Sequence, residues 1–405
     1  MDLARRAFDW IASVAVAADG GLGWTEDGVL FDDLYSGTAG VLLGCAEAGA
    51  AGLGTAPVAP GARGRLLSLA RQGPGVATMP DDGLFSGWAG VAVALRAWSD
   101  ATGDSAAAQA AAQVTQQIAG RIRNTPPDPL RYTDIISGDA GLLLVLIADD
   151  ADTSVQAAQI LAGWLAEAAE PAPGGLHWRM AANRETIMPG FSHGTAGAAY
   201  ALAAAGRALH RRDLVDVATR GAEALLAAGD RPGGWAVPLQ IPPRPDRPDV
   251  NYGWCHGPTG TARLFVLLDE IDPQPRWEHA IDACLGALRD SRLPARLYPG
   301  YWDNLARCCG TAGVGQFLLD RYQATGDTAL LDWTGALAAD AAARALTTPP
   351  GVSWSNTEHT RTPPELAPEP GFMQGAAGIA GWLSRLHALR ARPASPVARP
   401  GPAWL

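Results

Sequence analysis

Apolar residues along the chain fall into two alternating textures. Alanine-rich segments with their charges on one face cover 104–124, 154–170, 213–228, 276–290 and 327–346, a spacing that predicts helices with one wet side. The other texture is apolar nearly all round, as in Val41-Leu42-Leu43-Gly44-Cys45 and Leu142-Leu143-Leu144-Val145-Leu146, and predicts buried helices. An x-Gly-x-x-Gly signature introduces each apolar run. Its first glycine is Gly37, Gly87, Gly138, Gly194, Gly257, Gly310 and Gly375, at intervals of 50 to 65 residues. Such a period marks a repeat architecture.

Seven one-sided helices alternating with seven buried ones predict an all-α fold, an (α/α)7 double-ring toroid. Closure is expected because neither end carries a polar capping repeat. The ring should be a single domain over 1–390, followed by a loose proline-rich tail over 391–405. Strand signals are confined to hairpin-like pieces around His177-Trp178-Arg179 and 235–239. Residues 1–19 place Arg5-Arg6 before an apolar stretch, as signal peptides do, but Asp2 and Asp9 interrupt it. Leu3, Ala7, Phe8, Ile11, Val14 and Ala15 recur at helical spacing, so an amphipathic helix is expected there. The long connectors ahead of the buried helices are rich in proline, glycine and tryptophan. They should gather at one end of the ring, and loops on a rigid scaffold are where sites form.

With 48% hydrophobic and 18% charged residues, the chain has the material for a sizeable core. A formal net charge of −10 argues against a nucleic-acid partner. No apolar run approaches the roughly 20 residues of a membrane span. The five cysteines are odd in number and clustered, which points to a reducing, cytoplasmic setting.

Aligning the copies on the first glycine sorts the chemistry. Immediately before it stand Ser36, Ser86, Ser137, His193, His256, Cys309 and Gln374; one place earlier stand Tyr35, Phe85, Ile136, Ser192, Cys255, Cys308 and Met373. The metal-capable side chains in these slots belong to copies four, five and six. Cys255, Cys308 and Cys309 therefore form a candidate zinc site, and three protein ligands leave the fourth tetrahedral position open, as in catalytic zinc. A disulfide between neighbours Cys308 and Cys309 would be strained. Cys45 and Cys284 lie within helical runs and read as small hydrophobes.

These motifs, Gly253-Trp254-Cys255-His256-Gly257 and Cys308-Cys309-Gly310 within seven Gly-x-x-Gly copies, make the chain resemble the lanthipeptide cyclases and their lanthionine-synthetase-C-like relatives over essentially its whole length. The commoner form of the second motif is Cys-His-Gly, and the Cys-Cys-Gly form also occurs. The resemblance implies a double ring with zinc at its mouth, an active-site histidine at His193 and an aspartate at Asp134. The bland alternatives are that both merely cap helices. His256 faces the same mouth and either takes part in catalysis or orients a ligand. His177, His210, His279, His359 and His387 receive no role. The implied reaction adds a peptide cysteine thiol to dehydroalanine or dehydrobutyrine in the same peptide. The expected partner is a dehydrated precursor peptide, with serine and threonine dehydrated by a separate dehydratase. Three alternatives remain: addition of glutathione to dehydrated residues, zinc-dependent prenyl chemistry on a similar toroid, and a peptide-binding scaffold whose zinc is structural.

Overall fold

In this computed structural model the described residues are 1–26, 28–73, 79, 81–126, 128, 130–231, 234–245, 249–295, 303–357, 362–393, 397, 400 and 402. The expected tail falls largely outside them, as does His359. Among the described residues the apolar runs become α2 (Thr38–Ala50), α4 (Trp88–Thr102), α6 (Asp139–Leu146), α8 (Thr195–Ala208), α10 (Pro258–Ile271), α12 (Thr311–Thr325) and α14 (Ala376–Ala391). The one-sided segments become α1 (Asp2–Ser13), α3 (Ala59–Gln72), α5 (Ser105–Asn124), α7 (Asp152–Glu167), α9 (Arg212–Gly229), α11 (Pro275–Asp290) and α13 (Thr328–Ala343).

The two Gly-x-x-Gly glycines have a steric cause. Each signature loop folds back over the first turn of the helix that follows, and helix N–H groups donate to carbonyls seven positions upstream. Thr195 N donates to Met188 O (3.1 Å) and Ala196 N to Pro189 O (3.0 Å); the same pairing recurs before α2, α4, α6, α12 and α14. Backbone thus satisfies donors that a helix start otherwise leaves to a side-chain cap. The exception is α10, whose first residue, Pro258, has no N–H to satisfy. The fold-back brings main chain so close that a Cβ on Gly194 would lie 1.4 Å from Met188 O, and one on Gly197 2.0 Å from Phe191 O.

Helices α7 and α13 end before the expected 170 and 346, because Glu170 and Leu346 open hairpins instead. These are β4 (Glu170–Ala172) with β5 (Gly175–His177), and β8 (Leu346–Thr348) with β9 (Gly351–Ser353). A third hairpin pairs β6 (Asp230–Arg231) with β7 (Gly234–Trp235), shorter than the expected 235–239. A three-stranded antiparallel sheet, β1 (Val16–Ala18), β2 (Gly21–Glu26) and β3 (Val29–Phe31), follows α1. The expected apolar stripe of α1 is cut short: the helix stops at Ser13, Val14 is exposed, and Trp10 joins Ala4, Ala7, Phe8 and Ile11 in the core. Three hairpin tryptophans perform one task. Indole N–H groups of Trp24, Trp178 and Trp354 donate to Ile11 O (2.9 Å), Leu165 O (2.7 Å) and Ala341 O (2.8 Å) near the ends of the preceding helices. Each bond occupies a carbonyl that the helix itself cannot pair.

The chain divides into two compact units. One comprises Met1–Pro80, Gly90–Val114 and Arg292–Leu405; the other Asp81–Ala89 and Thr115–Ser291. In the second, α6 packs on α8 and α8 on α10, each backed by its one-sided partner. In the first, α12 packs on α14 and α14 on α2. The last buried helix therefore lies against the first, a contact that an open solenoid would not make. A charged pair is buried here: Arg307 donates to Glu47, with its guanidinium 4.6 Å over the Phe372 ring.

Candidate metal centre and acid–base pair

Two signature loops carrying cysteine are built alike. Asn251 Oδ1 accepts from Gly253 N (2.7 Å), and Asn304 Oδ1 from Ala306 N (2.8 Å). These Asx turns aim the next residues over the helix start. In the first loop the indole of Trp254 meets Phe85 and Phe191 edge-on, each at 5.4 Å between centroids. This packing fixes Cys255, whose carbonyl accepts from Ser192 N (2.8 Å). In the second loop Cys308 N donates to Met373 O (2.9 Å). Cys255 and Cys308 are buried, and Cys309 is partly exposed.

The Cys308 and Cys309 sulfurs lie 3.5 Å apart as free thiols. Two thiolates at about 2.3 Å from one zinc, at the tetrahedral angle, stand about 3.8 Å apart. The spacing fits two vertices of a zinc–sulfur tetrahedron and is far from the roughly 2 Å of a disulfide. Cys45 and Cys284 behave otherwise, as expected from sequence: each lies inside a helix, where burial pushes the thiol well above its usual range.

His193 and Asp134 do come together, with Nδ1 2.6 Å from Oδ2. The other oxygen of Asp134 accepts from Ser137 N (2.9 Å). Copy one supplies an internal control, because Asp33 in the same slot accepts from Ser36 N (2.8 Å) and Gly37 N (3.3 Å). Turn-making is thus shared by Asp33 and Asp134, whereas the contact with a histidine belongs to Asp134. Burial raises the Asp33 carboxyl from its ordinary range. Asp134 is 2% exposed and His193 32%, so a buried carboxyl group orients a partly exposed ring. An ionised carboxylate only accepts, so with Asp134 in that form Nδ1 is the donor of the pair. The His256 ring lies 5.8 Å from that of His193, tilted by 33°. His177 Nε2 sits 3.4 Å from Glu170, in a hairpin pair.

Two clusters escaped the sequence reading. Ser86 Oγ donates to Asp81 Oδ1 (2.9 Å) and lies 2.9 Å from Ser137 Oγ. Gln374 Nε2 donates to the Tyr35 hydroxyl (2.9 Å) and reaches Cys309 Sγ at 3.9 Å. Their slots were legible, but neutral polar side chains carry no chemical signature until a partner is seen.

The family profile of the lanthionine synthetase C-like proteins matches residues 28–394. The chain belongs to that family. No curated protein matches it in sequence. Among solved structures, nisin cyclase is similar with a TM-score of 0.61 at 13% identity, covering 88% of each chain. An unsaturated glucuronyl hydrolase specific for heparin gives 0.54 at 10%, over 87% of this chain and 98% of that one. The GH76A α-1,6-mannanase of Salegentibacter sp. HEL1_6 gives 0.52 at 11%, over 96% and 98%. At such identities the likeness concerns fold alone. The fold class is the all-α α/α toroid, as the repeat predicts. No helix among the described residues is long and apolar enough to cross a membrane.

Proposed function

We propose that this protein is a zinc-dependent cyclase that closes thioether rings in a dehydrated peptide by adding cysteine thiols to dehydroalanine or dehydrobutyrine. Cys255, Cys308 and Cys309 are the zinc ligands in this reading. The observation that carries it is the spacing of the Cys308 and Cys309 sulfurs. Support comes also from the matching Asx-turn loops and from the donor set, three thiols in two matching register slots of neighbouring copies. Family membership is a further support.

Zinc held by Cys255, Cys308 and Cys309 would supply the Lewis acidity that makes an incoming thiol easier to deprotonate. His193, held through Nδ1 by Asp134, offers Nε2 to take up that proton. Sulfur adds to the β-carbon, the π electrons move onto the α-carbon and its carbonyl, and Nε2–H returns the proton to the α-carbon. His256 is the second imidazole beside that path. Serine and threonine of the precursor are dehydrated by a separate enzyme, and the reaction runs in the cytoplasm.

Alanine variants of Cys255, Cys308 and Cys309 test the assignment. Each should lose zinc by elemental analysis and stop ring closure while keeping its helical circular dichroism. A variant lacking all three thiols that still closes rings at the wild-type rate would falsify the metal mechanism. Adding glutathione to the same assay separates ring closure from intermolecular thiol addition: open-chain glutathione adducts as the main product would overturn the cyclase reading.

A further inference from the structure

An enzyme that handles dehydroalanine faces a hazard of its own making. Its substrate is an electrophile, and its metal thiolates are nucleophiles. Three thiolates on a dication leave one net negative charge, which keeps their sulfurs electron-rich. Cys255 and Cys308 are shielded by burial, at 3% and 4% exposure, whereas Cys309 is partly open. Of the three, Cys309 is the one an electrophile reaches.

The side chain against Cys309 is Gln374, in the same register slot one copy later. Its backbone is not loosely placed. Asn356 Nδ2 donates to the main-chain carbonyl of Gln374 (2.7 Å), Met373 N donates to Tyr35 O (3.0 Å), and Cys308 N donates to Met373 O (2.9 Å), tying these loops in series. One amide proton goes to the Tyr35 hydroxyl, and Nε2 lies 3.9 Å from Cys309 Sγ. Oε1 is buried without a hydrogen-bond partner among the described residues. Exchanging amide O and N would not suit a thiolate neighbour, since it would set an acceptor against an acceptor. The tyrosine hydroxyl, which can donate or accept, anchors the amide, and a thiolate at Cys309 fixes the donor end toward sulfur.

We propose that Gln374 is a positioning residue that quiets the Cys309 thiolate through an N–H···S hydrogen bond, directing addition to the substrate's sulfur and away from the enzyme's own. The inference rests on the zinc–thiolate reading above. The side reaction it suppresses is addition of the Cys309 sulfur to the β-carbon of the alkene, with a proton taken up from water at the α-carbon.

The test uses zinc-loaded protein, methyl 2-acetamidoacrylate as a dehydroalanine probe, and peptide mapping of the adducts. A hydrogen bond of ordinary strength changes such a rate by about fivefold. Gln374→Met, nearly isosteric and without a donor, should accumulate the Cys309 adduct about fivefold faster than wild type. In the cobalt(II)-substituted protein its thiolate-to-cobalt charge-transfer band should move to longer wavelength, because an unbonded thiolate is oxidised more easily. Tyr35→Phe, which leaves the amide in place but unanchored, should shift both readouts in the same direction by less, and it decides the matter if the methionine variant does not fold. Adduct rates and band positions equal to wild type in the folded variants overturn the proposal. A wild-type cobalt protein with no thiolate charge-transfer band removes instead the metal reading beneath it.

Discussion

Replacing Asp134 with asparagine separates its two duties. The side-chain oxygen facing Ser137 N is retained, so the turn ahead of α6 should survive. The oxygen facing His193 becomes an NH₂ group, and the 2.6 Å contact now requires Nδ1 to accept. The imidazole must then carry its proton on Nε2, the nitrogen assigned to receive the thiol proton. Lost general-base action costs about 10²–10⁴ in rate, and a lost charge-assisted hydrogen bond about 1.5–3 kcal/mol. Asp134→Asn should therefore bind zinc stoichiometrically, unfold about 1.5–3 kcal/mol more easily in urea, and close rings at least a hundredfold more slowly. Ring closure is followed as disappearance of alkylatable thiol by mass spectrometry, with the spontaneous rate subtracted. The ¹⁵N shifts of the imidazole report the change of tautomer. A zinc-replete variant within threefold of the wild-type rate would refute the acid–base role and leave Asp134 a turn-former like Asp33.

Other expectations concern stability. Arg307→Ala strands the Glu47 carboxylate in the core and should cost about 3–5 kcal/mol, whereas the double change Glu47→Leu with Arg307→Met should lie close to wild type in the same urea titration; equal losses in both would contradict the ion-pair account. Asp139, paired with Arg131 in the first turn of α6, is pushed by burial up to about 6. The folded state then holds this proton more tightly than the unfolded chain, so the group's stabilising contribution is complete below about pH 4 and is lost as pH rises through about 6. Relative to Asp139→Asn, wild type should lose up to about 3 kcal/mol between pH 4 and 7, and parallel pH curves for the two proteins would dismiss this.

The glycine signatures made the buried helices readable, because close main-chain approach leaves a residue-type record at each helix start. The hairpins at Val16–Phe31 and Leu346–Ser353 left none: three-residue strands are too short for an alternating pattern, the six-residue β2 has glycine at two of its positions, and the tryptophans at Trp24 and Trp354 could not be told from ordinary core residues. Cys308 and Cys309 declared themselves by type and adjacency. His193 shared a slot with the metal-capable residues, but its role and that of Asp134 came only from family resemblance, since 59 residues separate them and the histidine is set by one loop and the aspartate by another. Gln374 and Tyr35 were silent, because amides and phenols serve structure more often than chemistry and only their distance from Cys309 distinguishes them.

Because main chain pairs the first N–H groups of six of these helices, the first glycine can hold the N-cap without a capping side chain, and the residue ahead of it is not needed for that task. The seven positions ahead of the first glycines can then carry whatever reagent a reaction needs, at little cost to the frame. Serine, imidazole, thiol and amide already occupy them in this one chain. New chemistry on this wheel should come from exchanging single residues there while the spokes stay as they are.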